Sequence, residues 1–411
     1  MRRPVAITGI GAITPVGTGR EALWDGVRKG KSAVTAIERF DVSQFNSRVA
    51  AQVDFDPSEY LTPQQCRRLD RFSQFALVAA RLAMEDSGLT ANEMVASNAG
   101  SYMGSALGGV AFGEEQHSAY VTGGPRTVNP LLALSVFGGA ATSNISIEHG
   151  LTGPSLAFGN SCAAGVIAIG EAARLIADGR AHVMLAGGAE APLAPLTFGA
   201  FSLIRVLSTR NDDPETASRP FDSGRDGFVM AEGAAVLTLE SFEHATARGA
   251  TIYALVSGYA TTNDAHHMTA PRPDAVQASR ALSGAIADAC LPPSAIDYVN
   301  AHGSSTVLND AAECRAVRLS LDRHADRISM SGTKGLHGHA LGATGAIETA
   351  ICAMSLREGW IPGTANLQDI DPECDLDIIG PQGRAAQVEH IATNAFGFGG
   401  VNASLILSAA S

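Results

Sequence analysis

The chain has 411 residues, a length that exceeds one ordinary single-core domain and suits two domains or a duplicated fold. Hydrophobic residues make up 45% of it and glycines number 44, so a large core can form in which elements pack closely. A formal charge of −12 excludes a generic nucleic-acid surface, although a local basic patch can still receive an acidic partner.

The N-terminus, MRRPVAITGIGAITPVG, reads as an apolar strand at Val5–Gly9 running into a Gly-rich turn. It holds no sustained apolar stretch of the signal-peptide kind, and nowhere does the chain reach the roughly 20 apolar residues of a membrane-spanning helix. The six cysteines, at 66, 162, 290, 314, 352 and 374, are scattered without a CxxC pair. A reduced, cytoplasmic protein without a zinc or disulfide framework is expected.

Helical spacing follows in ALVAARLAMEDSGL (76–89), then a strand and a Gly/Ser-rich loop in SYMGSALGG (101–109). Segments around 110–150 and 191–225 carry Pro, Gly, Asn and Asp clusters such as GGPRTVNP and STRNDDPETASRP. They read as loops and capping elements. Between them, Leu156–Phe158 is a short apolar run, Gly159-Asn160-Ser161 a turn, and Cys162 opens an Ala/Gly/Ile helix. A thiol in the first turn of a helix faces unpaired N–H groups and the positive end of the dipole, which favour the nucleophilic thiolate. The other five cysteines lack this setting and suit small core positions.

The charged stretch SFEHATARGAT, near residues 240–252, marks a join between an N-terminal half (1–245) and a C-terminal half (246–411). Beyond it the pattern repeats in the same order. A strand at Ile252–Tyr259 precedes a helix in QASRALSGAIADACL (277–291) and a strand-and-loop in YVNAHGSST (298–306). GHALGATGAIETAICAM (338–354) then matches GNSCAAGVIAIGEAARLI (159–176), both being small-residue turns that open a helix. Alternating strands and helices predict an α/β architecture with mostly buried sheets.

The repeat puts His339 roughly where Cys162 stands in the first half, so the two face each other if the halves pack about a pseudo-twofold axis. Spacing alone does not separate His339 from His337. His302 follows an apolar strand in NAHGSST, and Lys334 has Glu348 as a possible partner. A thiolate can carry an acyl group. Two neutral imidazoles can donate to an enolate, and the Cys162 amide with one from Phe396–Gly400 can hold an oxyanion. This set suits carbon–carbon bond formation by decarboxylation of a malonyl-type thioester.

These residues resemble the β-ketoacyl-acyl-carrier-protein synthases of the thiolase superfamily, nearest to the synthase II type, over essentially the whole chain. The likeness is carried by ITGIGAITPVG (7–17), Cys162 with its following AAG, LSTRNDDPETASRPFDSGRDGFVMAEGA (207–234) and DAHHMTAP (264–271). NAHGSST (300–306), GTKGLHGHALGATGA (332–346) and NAFGFGGVNASL (394–405) extend it. The resemblance implies a five-layered αβαβα thiolase fold built from two duplicated halves. It also implies a homodimer, or a heterodimer with a homologous ketosynthase-like subunit. No cofactor is implied, the substrates being carried on the phosphopantetheine of an acyl carrier protein.

By the same resemblance Cys162 is the nucleophile, and His302 and His339 serve decarboxylation and condensation. Lys334 is the supporting lysine with Glu348 as its partner, and Phe398 is a gating residue whose amide completes the oxyanion hole. Ser304 and Thr306 contact the pantetheine arm, and His267 and Thr269 lie near its entrance. Leu107 and Phe201 line the acyl pocket, while Arg67, Arg68 and Arg205 form the basic patch for the carrier protein. Several positions depart from the family pattern. Asn160-Ser161 precedes the cysteine, and Ala163-Ala164-Gly165 follows it, where Thr-Ala-Cys-Ala-Ser/Thr-Gly is usual. Ser304, Val307, Gly332 and Val401 replace a usual threonine, proline, serine and threonine. The changes spare the reacting groups and suit a specialised fatty-acyl or polyketide chain. The loop Phe396–Gly400 lacks the second cysteine of degradative thiolases, and His339 stands where initiating synthases have asparagine. An active polyketide ketosynthase subunit paired with a chain-length partner stays open as the alternative.

Overall fold

A computed structural model describes residues 3–410. The first half contributes β1 (Val5–Thr14), α1 (Arg71–Ser87), β2 (Gly100–Gly104), α2 (Ala140–His149), β3 (Ser155–Phe158), α3 (Ala164–Ala177), β4 (Val183–Glu190) and β5 (Gly233–Ser241). The second contributes β6 (Ala254–Asn263), α4 (Val276–Asp288), β7 (Tyr298–Asn300), α5 (Val307–Leu321), β8 (Ser329–Ser331), α6 (Leu341–Glu358), β9 (His390–Gly397) and β10 (Val401–Ser408).

Strand order shows the duplication directly. The first half runs β3-β2-β4-β5-β1 and the second β8-β7-β9-β10-β6, the same permutation of five strands. Directions match too: three parallel strands lead into two antiparallel pairings in each half. A short antiparallel contact joins the sheets end to end, with Val5 opposite Val256 and Ile7 opposite Ala254. Helices α1 and α2 pack on the outer face of the first sheet, α4 and α5 on the second, and α3 and α6 lie between the two. This is the five-layered αβαβα thiolase arrangement.

Composition explains which elements lie inside. Every residue of β1, β4 and β5 is buried, as expected of strands covered on both faces. In α6 everything from Leu341 to Leu356 is buried, and an apolar helix without a polar face belongs in an interior layer. Each large aliphatic side chain so placed contributes about 1.5–3 kcal/mol. Small residues let the two central helices touch. A Cβ on Gly165 of α3 would lie 2.9 Å from the Gly342 carbonyl oxygen and 3.0 Å from the Ala346 nitrogen of α6.

Two expectations change. Residues 110–150 are largely helical, holding Val110–Gly123 as well as α2. Helix Val110–Gly123 buries only Gln116, so it carries no apolar stripe to read. In the 191–225 stretch, Pro195–Leu203 is also a helix. Its start is held by the Glu114 carboxylate, which accepts from Leu196 N at 2.8 Å and Thr197 N at 2.6 Å. Helix α1 starts at Arg71, ahead of its readable periodicity, because Asp70 caps it through the Ser73 amide. No helix among the described residues is long and apolar enough to cross a membrane.

Candidate active site

The starts of α3 and α6 converge, as the repeat requires. Cys162 lies in the 3₁₀ turn Ser161–Ala163, two residues before Ala164, and His339 two residues before Leu341. Cys162 Sγ is 3.1 Å from His339 Nε2. The His339 backbone is pinned on both sides, its N–H donating to Val229 O at 2.8 Å and its carbonyl accepting from Ala231 N at 2.9 Å. On the far side of the ring, Nδ1 is 3.0 Å from Thr344 Oγ1. A Thr344 hydroxyl accepting from Nδ1–H leaves Nε2 as the acceptor for the thiol.

His302 stands beside this pair, its ring centroid 5.3 Å from that of His339 and the planes at 82°. It follows β7 in a loop that Glu313 holds from behind, the carboxylate accepting from His302 N and Gly303 N at 2.8 Å each. Lys334 Nζ donates to the His302 carbonyl and, at 2.6 Å, to Glu348 Oε1. Both members of that ion pair are fully buried. His302 Nδ1 is buried without a hydrogen-bond partner among the described residues, a cost of about 1–3 kcal/mol to the free protein unless something bound meets it.

Electrostatics set the protonation states. Burial, reinforced by the Lys334 charge, holds both His302 and His339 well below the ordinary imidazole value. Both rings are therefore neutral at physiological pH. The expectation of a depressed thiol is not met. Burial pushes the Cys162 thiol up, against the opposing pull of the Ser161 hydroxyl, the Lys334 charge and the Phe398 amide. Desolvation of a sulfur with only 7% of its residue exposed outweighs the helix start. The neutral imidazole at 3.1 Å supplies the proton acceptor that the helix alone does not.

A cavity of about 410 Å³ opens onto these groups, with Leu107, Phe201, Arg205, Thr269, Ser304, Thr306 and Phe398 in its wall. Phe398 stacks on Phe201 at 6.3 Å and 19°, Phe201 meets Phe228 edge-on at 6.1 Å, and Phe228 meets the His339 ring at 5.2 Å. The loop carrying Phe398 is tied to its neighbour by Gly399 N donating to Met268 O at 2.7 Å. Thr306 Oγ1 lies 3.0 Å from Ser304 Oγ and also caps α5 through the Asn309 amide.

Not every expected residue gathers here. His267 is exposed outside the cavity wall, where Nδ1 accepts from the amides of Thr269 and Ala270, both at 3.1 Å. Arg67 and Arg68, in the last turn of helix Pro63–Arg68, line a separate groove with Phe112 and Glu114, apart from Arg205. His337, which spacing did not separate from His339, points to Thr333 Oγ1 at 3.1 Å instead. Three residues were missed. Glu190 binds the Ser105–Leu107 loop to the start of α6, Glu313 holds the His302 loop, and Thr344 backs His339. For the two acids the signal was a carboxylate among mostly small or apolar residues, in VMLAGGAE and AAECRAV, which names no partner; Thr344 carried none.

Comparison with known proteins gives a consistent answer. Residues 2–245 match the family described as Beta-ketoacyl synthase, N-terminal domain, and residues 253–368 match Beta-ketoacyl synthase, C-terminal domain. The chain is 43% identical over 408 residues to 3-oxoacyl-[acyl-carrier-protein] synthase 2 of Coxiella burnetii, covering 99% of each. It is 43% identical to the Synechocystis protein of the same name, covering 98% of this chain and 97% of that one. Among solved structures, a type II polyketide ketosynthase in complex with its acyl-carrier protein superposes with a TM-score of 0.93 at 34% identity, covering 100% of both chains. The ishigamide ketosynthase/chain length factor gives 0.93 at 32%, and a Burkholderia phymatum β-ketoacyl synthase 0.92 at 35%, each again covering 100% of both chains. With its sheet order, paired helix starts and full-length matches agreeing, this chain belongs to the β-ketoacyl synthase family.

Proposed function

We propose that this protein is an elongating 3-oxoacyl-acyl-carrier-protein synthase. Cys162 receives an acyl group and condenses it with a malonyl unit delivered on the phosphopantetheine of a carrier protein. The observation that carries the reading is the Cys162–His339 contact of 3.1 Å beside a second neutral, buried histidine.

In the loading step the Cys162 proton passes to His339 Nε2 as Sγ attacks the incoming thioester carbonyl. The new S–C bond forms, the carrier's C–S bond breaks, and the departing sulfur takes the proton back from Nε2. Malonyl thioester then places its carbonyl oxygen against N–H groups of His302 and His339. His339 donates in its other neutral tautomer, with the single ring proton on Nε2 and Nδ1 accepting from the Thr344 hydroxyl. As carbon dioxide leaves, these donors stabilise the enolate. The enolate carbon attacks the Cys162 acyl carbonyl, whose oxyanion is held by the Cys162 and Phe398 amides, and Sγ departs with the electron pair and takes up a proton from solvent to restore the thiol. Neutral imidazoles suit donation to a developing enolate; the depressed values of both rings keep them so.

Carrier and subunit partners fit the surface. Exposed Val307 and Leu308 share the cavity wall with exposed Arg205, an apolar rim beside a positive charge for an acidic carrier. Among the described residues strand β3 ends its sheet with its outer edge unpaired, and its residues are largely exposed, as suits pairing with a second, homologous subunit. The synthase reading comes ahead of the polyketide one because the full-length relatives at 43% identity are both 3-oxoacyl-[acyl-carrier-protein] synthase 2 proteins, while the type II polyketide ketosynthase structure at 34% identity superposes about as well as the β-ketoacyl synthase structure at 35%.

The test is mass spectrometry of the protein loaded with acyl carrier substrate, joined to a malonyl decarboxylation assay. An acyl adduct is expected on Cys162, with decarboxylation falling by at least 10²-fold in His302→Ala and His339→Ala while loading partly survives. An adduct on another cysteine, or normal product from either variant, refutes these roles. Elongation only in the presence of a second homologous subunit would favour the polyketide reading.

A further inference from the structure

The residue before the nucleophile has a hydroxyl that the steps above leave unused. Ser161 has φ of 52°, in the left-handed region that glycine takes freely and serine only at a cost. Its side chain faces the cavity, and its Oγ lies 3.7 Å from Cys162 Sγ, within hydrogen-bonding reach of sulfur. Among the described residues this hydroxyl has no other hydrogen-bond partner. The end of β9 packs closely on the same spot, since a Cβ on Gly397 would lie 3.2 Å from both Ser161 Cβ and Cys162 N. The family pattern usually has alanine here, so the hydroxyl is a feature of this chain.

We propose that Ser161 is a further catalytic residue whose hydroxyl donates a hydrogen bond to the Cys162 sulfur whenever that sulfur carries negative charge. The proposal rests on Cys162 being the nucleophile. The charge arises twice. It forms first as Sγ gives its proton to His339 Nε2 and bonds the acyl carbon. It forms again when the enolate carbon bonds that same acyl carbon, the S–C bond breaks and its electron pair returns to Sγ. Ser161 gains and loses no proton in either step. The need for such a donor follows from burial, which disfavours the sulfur anion here; the Ser161 hydroxyl, the Lys334 charge and the Phe398 amide oppose it. Lys334 also holds the His302 loop and the Phe398 donor is backbone, so Ser161 is the member that substitution isolates.

The experiment is the pH dependence of Cys162 alkylation by iodoacetamide in the full-length protein, located by mass spectrometry. It compares native protein with Ser161→Ala and Ser161→Gly. The groups facing the sulfur are His339, with His302 beside it, and the charges of Lys334 and Glu190; none is altered in either variant. Loss of one hydrogen bond to an anion is expected to raise the midpoint by about one pH unit. Below the midpoint the thiolate fraction then falls about tenfold. The more basic sulfur regains part of this, so alkylation slows about threefold, and acyl loading with it. Both variants should shift alike, because glycine relieves the backbone and removes the hydroxyl together. An unshifted profile in both overturns the proposal, as does a shift in alanine that glycine abolishes, which would assign the effect to backbone strain. A native protein that forms no acyl adduct on Cys162 overturns the nucleophile assignment and this proposal with it; an acylated native protein with unshifted variants overturns the proposal alone.

Discussion

Replacing Glu190 with glutamine tests how the acyl-side loop is held against the second half. Glu190 ends β4 fully buried, and its oxygens accept four bonds. Oε1 receives Ser105 Oγ at 2.9 Å and Leu107 N at 3.1 Å; Oε2 receives Ala106 N at 2.7 Å and Gly342 N at 3.0 Å. Burial nevertheless dominates and pushes the carboxyl from its ordinary 4.5 up to about 7. Between those values the folded protein holds a proton that the unfolded chain has released. The stabilisation is therefore complete below about 4.5, is lost as pH rises through about 7, and changes no further above that. At 1.36 kcal/mol per pH unit, the loss is about 3 kcal/mol. Glutamine stays neutral and lacks this slope, while its NH₂ faces two donors at a fixed cost of about 2–5 kcal/mol. Buried neutral His302, His337 and His339 give an opposite slope below their ordinary 6.5, but equally in both proteins. The native-minus-variant difference in stability should therefore shrink by about 2.5 kcal/mol between pH 5 and 8. Urea unfolding followed by fluorescence of the edge-on pair Trp24 and Trp360 measures it at each pH. Parallel pH curves for the two proteins would refute the assignment.

Three further substitutions probe the supports of the site. Lys334→Met strands the buried Glu348 carboxylate and should cost about 3–5 kcal/mol in urea unfolding, whereas Lys334→Met with Glu348→Leu should recover most of that without recovering condensation. A double variant as unstable as the single one would show that the charge pair is not the reason. Gly165→Ala puts a methyl group against backbone atoms of α6 at 2.9 and 3.0 Å, so about 1–3 kcal/mol of stability and much of the activity should go together; a fully active, stable variant contradicts the contact. Arg205→Glu should raise KM for carrier-bound substrates several-fold at low salt, an effect that 0.5 M salt, with its Debye length of about 4 Å, should largely erase; a salt-independent change would point to damage in the cavity wall rather than lost steering.

How much of this was legible beforehand depended on whether a residue's signal was local or distributed. The Cys162–His339 pairing could be inferred because the repeat is written in order along the chain, and equivalent helix starts must meet when equivalent halves pack. The halves' shared strand order makes that inference exact in topology, with both residues two positions ahead of their helices. Helix Val110–Gly123 was not legible because it buries almost nothing, and periodicity reports only burial. Glu190, Glu313 and Thr344 were not legible for a different reason. Each acts on backbone or side-chain atoms from 5 to 152 residues away, and no local pattern announces such a partner.

The same distinction explains why the thiol was misjudged. A helix start is a local feature, and it argues for a thiolate. Burial is a property of the whole assembly: two sheets, two central helices and the loop bearing Phe398 close over the sulfur and raise the thiol instead. The fold thus creates a requirement and meets it at one place. By bringing the starts of α3 and α6 together through glycines that permit contact, it buries the sulfur and sets a neutral imidazole 3.1 Å away to take its proton. Lys334 serves both ends of this arrangement. Its charge draws the sulfur toward the anion and keeps His302 and His339 unprotonated, so one buried cation favours proton loss from the nucleophile and neutrality in the two rings. A residue in that position is costly to bury, and Glu348 with the His302 carbonyl makes it tolerable.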